Sequence, residues 1–92
     1  MTNIKYIMWF VYIIKSLKCK WYYVGSTNRL EKRIKEHNQG KSKATKPFVP
    51  FIPIFTRKFD CETDARNYEQ KLKKCRKEKE KIIKEYENKI KK

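Results

Sequence analysis

Two short runs of β-branched and aromatic residues, separated by six residues, lie near the start of the chain. The first is Phe10-Val11-Tyr12-Ile13-Ile14 and the second Trp21-Tyr22-Tyr23-Val24-Gly25. Residues of this kind fit a pleated surface far better than an isolated helix. The first run, read from Tyr6 to Ile14, is apolar on both faces and predicts a central strand. The second predicts a strand over Trp21 to Val24, ended by Gly25. Ser16-Leu17-Lys18-Cys19-Lys20 is too short a connection for parallel pairing, so the two must form an antiparallel hairpin. Each run holds a tyrosine, Tyr12 or Tyr23.

The rest of the chain supplies the layers that such a hairpin needs. Asn28 with Glu31 three residues on forms a capping-box-like pair, predicting a helix over Arg29 to Asn38 that stops at Gly40. Leu30, Arg33, Ile34 and His37 share one stripe of it, so the buried face borders a polar site. Lys41 to Pro53 contains three prolines and predicts a loop. Ile54 to Phe59 predicts a third strand. Asp60 or Thr63 is the expected cap of a second helix, whose stripe is Ala65, Tyr68, Leu72 and Cys75, with Glu69 beside it. That helix is expected to run on as a charged extension. The fold class expected is α+β: a three-stranded antiparallel sheet flanked by helices, in the order β-β-α-β-α, ending in a long charged helix. Residues 1–75 are expected to form one catalytic-type domain and residues 76–92 its helical extension.

A chain of 92 residues supports a single core. Its formal net charge of +15 attracts polyanions, of which nucleic acid is the foremost and an anionic membrane surface the rival. Interleaved aromatics favour nucleic acid. The Ile7 to Ile14 run is too short to span a bilayer and lacks a small-residue cleavage site. Cys19, Cys61 and Cys75 are widely spaced, and His37 is the one histidine. That set excludes a structural zinc site and suits a reducing, cytoplasmic setting.

In this order the motifs resemble those of the GIY-YIG nuclease family. Phe10-Val11-Tyr12 stands where the first motif would be and Tyr23-Val24-Gly25 where the second would be. Both tyrosines are kept. Gly and Ile of the first motif are replaced by Phe and Val, and Ile of the second by Val. The segment Asn28 to Asn38, with Ala65 and Glu69, looks like the two helices of the family's small stand-alone branch. The resemblance spans roughly residues 7–74. It implies Tyr12, Tyr23, Arg33, His37 and Glu69 as active-site residues and one divalent metal, Mg²⁺ or Mn²⁺, on Glu69. It also implies an endonuclease leaving a 5′-phosphate and a 3′-hydroxyl, with no small-molecule cofactor.

The chemistry is coherent. A single carboxylate can hold Mg²⁺, which keeps several waters. Arg33 can bind a phosphate with two parallel hydrogen bonds. Either tyrosine could take the proton from the attacking water if nearby cations lower its pKa. Lys41, Lys43 and Lys46 are candidate phosphate contacts. DNA is the expected partner, cut with structural or weak sequence selectivity in repair or recombination, since no appended recognition module is visible. The competing reading is a non-catalytic nucleic-acid-binding module on the same fold. Arg76 to Lys92, with eight basic and four acidic residues, is too poor in apolar positions for membrane insertion. It could pair two copies of the chain.

Overall fold

The computed structural model describes residues 7–90. Tyr6, where the first strand was expected to begin, lies outside them, as do Lys91 and Lys92 of the tail. Strand β1 (Trp9–Ser16) is the centre of an antiparallel sheet, with β2 (Tyr22–Thr27) on one side and β3 (Phe51–Phe59) on the other. Helix α1 (Leu30–Asn38) follows β2, and helices α2 (Glu62–Lys74) and α3 (Arg76–Ile90) follow β3. The expected fold class and element order are those observed.

β1 is apolar on both sides because both of its faces are covered. Val11 and Ile13 point to the α2 side, where they meet Val24, Ala65 and Leu72. Tyr12 and Ile14 point to the other side, with Phe51 and the partly buried Leu30 and Ile34 of α1. The alternation carries across the hairpin, where Tyr12 pairs with Gly25 and Ile14 with Tyr23. Tyr23 therefore shares a face with Tyr12, and Tyr22 packs on the α2 face.

Several boundaries differ from expectation. β2 runs through Gly25 to Thr27, so the expected Asn28 cap cannot form. Arg29 occupies the N-cap position, and its backbone N–H donates to Thr27 Oγ1 at 3.0 Å. Pro53 lies within β3 rather than in the preceding loop. An edge strand tolerates it because one side of its backbone needs no partner. The register shifts beside it, with Ile13 opposite Phe55 but Ile14 opposite Pro53. Neither Asp60 nor Thr63 caps α2; Cys61 stands at that position in extended conformation. The expected continuous last helix is broken at Cys75, whose backbone (φ −99°, ψ 93°) is not helical. The break folds α3 back so that Ile82 reaches the α2-side core.

Candidate active site

Tyr12 is fully buried, and its ring crosses the sheet toward the β2 edge. Gly25 makes that path possible. A Cβ there would lie 2.5 Å from Tyr12 Oη and 2.6 Å from Cζ, an overlap no side chain can hold. The glycine that sequence reading took as a strand terminator is the floor beneath the tyrosine.

The Tyr12 hydroxyl meets His37 Nε2 at 2.9 Å, and His37 Nδ1 meets Thr45 Oγ1 at 2.9 Å. Thr45 Oγ1 lies 3.5 Å from the Ser42 carbonyl, which can only accept. The assignment that satisfies every member of the chain runs in one direction. Thr45 donates to Ser42, His37 donates from Nδ1 to Thr45, and Tyr12 donates to the bare Nε2. Tyr12, His37 and Thr45 are all essentially inaccessible to solvent. Burial, with the Arg33 guanidinium nearby, holds His37 neutral and lowers its pKa to about 4. Burial, helped by Tyr23, pushes Tyr12 up to about 12 against the opposing pull of Arg33. In the resting state Tyr12 is thus a neutral donor.

His37 is held in place by the elements around it. It lies on the last turn of α1, which the Asn38 side chain ties to β3. Phe51 N–H donates to Asn38 Oδ1 at 2.6 Å, and Asn38 Nδ2 donates to the Phe51 carbonyl at 3.2 Å. The loop that carries Thr45 is anchored in turn by Ser16, whose hydroxyl donates to the Phe48 carbonyl at 2.6 Å. The His37 ring centroid lies 5.1 Å from that of Tyr23 and 5.8 Å from that of Tyr12. Tyr23 is half-buried and more open to solvent than Tyr12. Arg33, one turn before His37, is half-buried and donates from Nη1 to Glu36 Oε1 at 3.1 Å. That contact holds the Glu36 carboxyl below its usual range.

Glu69 arrives from the opposite side of the sheet. It is 8% exposed on α2, accepts a short hydrogen bond from the Ser26 hydroxyl on Oε1, and is paired through Oε2 with Lys73 Nζ at 2.7 Å. Lys73 Nζ also lies 5.9 Å from the Tyr23 ring centroid, so it wraps the β2 edge and joins the two halves. Tyr12, Tyr23, Arg33, His37 and Glu69 therefore converge at one edge of the sheet. Lys41, Lys43 and Lys46 are exposed on the loop that holds Thr45, outside this cluster.

The donor set discriminates among metals. Among the described residues, no group of three or more His, Cys, Asp or Glu side chains could hold an ion. A metal that needs three or four protein ligands finds no seat. One carboxylate beside a hydroxyl does fit Mg²⁺, and the Lys73 ammonium already sits on that carboxylate as a cation.

Sequence reasoning missed the parts played by Ser26 and Thr45, the close approach at Gly25, and the reach of Lys73 across the edge. A glycine in an aromatic run signals close approach of another group, and that signal was present for Gly25. Ser26 and Thr45 depend on long-range pairing and carry no local signature.

Comparison with known proteins points the same way. The GIY-YIG catalytic domain family matches residues 8–82. The UPF0213 protein YazA of Bacillus subtilis (strain 168) is 42% identical over 81 residues, covering 86% of this chain and 81% of that protein. The solution NMR structure of the UPF0213 protein BH0048 from Bacillus halodurans superposes with a TM-score of 0.53 at 30% identity. That match covers 84% of this chain and 83% of the other.

Proposed function

Since the chain belongs to the GIY-YIG catalytic domain family, a family of nucleases, we propose that it is a metal-dependent endonuclease that hydrolyses phosphodiester bonds in DNA. The observation that carries this reading is the directed hydrogen-bond chain from Tyr12 through His37 to Thr45, set beside Arg33 and Glu69. A neutral histidine with its free nitrogen facing a tyrosine hydroxyl becomes a proton acceptor once the negative charge of a bound phosphate raises its pKa from the resting value of about 4.

In this reading Tyr12 takes a proton from the attacking water and passes its own to His37 Nε2. The resulting imidazolium keeps its Nδ1 hydrogen bond to Thr45. Water forms the new bond to phosphorus, the bond to the 3′-oxygen breaks, and a 5′-phosphate remains. The 3′-oxygen leaves as an alkoxide and takes a proton from solvent to become the 3′-hydroxyl. The imidazolium returns its proton through Tyr12 to solvent. Arg33 donates to a phosphate oxygen where negative charge builds. Tyr23, on the open side, orients the water. Glu69 and Ser26 would hold the divalent ion, which supplies polarisation of the phosphate and stabilisation of the departing oxygen. Lys41, Lys43 and Lys46 serve as phosphate contacts on the rim.

The substrate is read as structured or weakly selected DNA of the kind met in repair and recombination. Cys19, Cys61 and Cys75 are free thiols among the described residues, which supports a reducing, cytoplasmic setting. Among those residues no helix is long and apolar enough to cross a membrane. The decisive experiment incubates the purified protein with linear, nicked, branched and single-stranded DNA in Mg²⁺, Mn²⁺ or chelator. Cleavage with either metal and none with chelator is expected. Tight binding with no cleavage under any condition would leave only the non-catalytic binding reading.

A further inference from the structure

A groove of about 670 Å³ runs between β2 and the α2–α3 corner, on the side of the sheet away from Tyr12. Tyr22 and Leu72 line it. Five cations also line it: Lys20, Lys73, Arg76, Lys79 and Lys84. Two acids, Glu80 and Glu87, face them, leaving a net of five minus two, or +3. Glu80 is tied up by Arg76 at 3.5 Å, in a pair so exposed that it contributes little. Glu87 lies beside the Tyr22 hydroxyl, which burial and that carboxylate hold in its neutral form.

Two features make this more than a solvated charged face. First, three of the cations lie along one helix that walls the groove. From Arg76 through Lys79 to Lys84 the helix rises about 12 Å, the span of roughly three to four phosphates along one strand. Second, Lys73 belongs both to the groove and to the candidate active site, through its 2.7 Å contact with Glu69. A polyanion in the groove therefore continues without a gap to the β2 edge where the scissile phosphate would sit.

We propose that this groove is a binding track for the nucleic-acid backbone, and that α3 exists to form its outer wall. The proposal rests on the nuclease reading and adds to it where the uncut strand lies. Phosphates engage Lys20, Arg76, Lys79 and Lys84 in turn. Lys73, at the mouth, exchanges the Glu69 carboxylate for the phosphate next to the cut.

The test compares two triple variants with the same change in net charge. One is R76A/K79A/K84A, which strips the groove. The other is K74A/K77A/K81A, whose lysines are exposed on the same two helices but do not line it. Alanine keeps helix propensity in both, and circular dichroism checks it. A fluorescein-labelled branched DNA is titrated by anisotropy in chelator over a salt series. The groove variant is expected to lower the slope of log affinity against log salt by about two to three units. The control variant should change it by less than about one unit. Equal losses in the two variants would mean a diffuse field and overturn the track. So would light scattering that finds the wild type dimeric and the groove variant monomeric, since a second copy would then be the occupant. Failure of the wild type to bind any DNA would instead take down the nuclease reading itself.

Discussion

The two faces of the sheet solve opposite problems. On the α2 side, Val11, Ile13, Val24, Ala65 and Leu72 form a hydrocarbon core. On the α1 side, the buried set includes Tyr12, His37, Thr45 and Ser16, each in a hydrogen bond. Burying a polar group is tolerable only when it is paired, and a half-satisfied network is worse than an apolar core. The α1 face thus gives up adaptable packing for a fixed line of donors and acceptors. The α2 face supplies the packing that holds the line in place. Glu69 crosses this division together with its partner Lys73, rooted among Ala65 and Leu72 on the α2 stripe yet aimed at the shared edge.

The sharpest way to break that comparison is to remove the crossing group. Glu69→Ala is expected to reduce metal-dependent cleavage to background and abolish metal binding, while DNA binding and folding persist. Ser26 and the half-exposed Lys73 can turn to water, so the loss falls on the ion and not on the core. Calorimetric titration with Mn²⁺ beside a nicking assay reads both. Retained cleavage would show that the carboxylate serves only as an ion-pair partner of Lys73.

The next effect in size separates the faces by their tyrosine hydroxyls. Tyr12→Phe and Tyr23→Phe keep the rings that pack the α1 face and should lose about 10²-fold or more in turnover. Tyr12→Phe should also leave the His37 Nε2 without its donor. A change in the His37 imidazole ¹⁵N shifts in Tyr12→Phe, and none in Tyr23→Phe, is the expected pattern. Unchanged turnover in both variants would remove the tyrosines from the mechanism.

How much of this was legible in the sequence follows from range. Strand order, the shared face of Tyr12 and Tyr23, and the helical stripe of Arg33 and His37 arise from periodicities of two and 3.6 and could be read directly. Helix starts could not, because β2 extends two residues past Gly25 only when β1 is there to pair with it. Cys75 breaks the last helix without proline or glycine. The break accompanies the packing of Ile82 on the α2-side core, and no local propensity announces such a contact. The role of Thr45 was hidden for the same reason: it sits in a proline-rich basic loop and meets His37 only after β3 closes the sheet. Lys73 was legible as an i+4 partner of Glu69, but not as a side chain that wraps an edge.

A smaller effect comes from pH. His37 ionises near 6.5 when unfolded and near 4 in the native protein. Its folded pKa is depressed, so its neutral, buried form contributes stability that is complete above about pH 6.5 and lost as pH falls toward 4. The loss should approach about 3 kcal/mol at the acid end, as an upper figure. Urea melts from pH 7.5 to 4 would show it as a falling midpoint, with His37→Gln much flatter over the same window. Cleavage by the native protein should keep its His37-dependent acid limb to the foot of that window, near pH 4, since only a charged imidazole cannot accept the Tyr12 proton. A wild-type midpoint that stays level would mean that His37 remains neutral in the unfolded state as well or is reached by solvent.

The smallest expected effect is the control for the whole division. Tyr22 neighbours Tyr23 but faces the α2 side, where its hydroxyl makes no hydrogen bond of good geometry and lies beside the Glu87 carboxylate. Removing the hydroxyl takes away at most that one contact with Glu87, which is open to the groove and can turn to water. Tyr22→Phe should therefore leave turnover at the wild-type level and change stability by no more than about 1 kcal/mol. Thermal melts and steady-state cleavage, run beside Tyr23→Phe, decide it. A loss in Tyr22→Phe as large as that in Tyr23→Phe would mean that the two faces are not chemically separate, and that the strand pairing of Tyr23 with Ile14 is not the register used in solution.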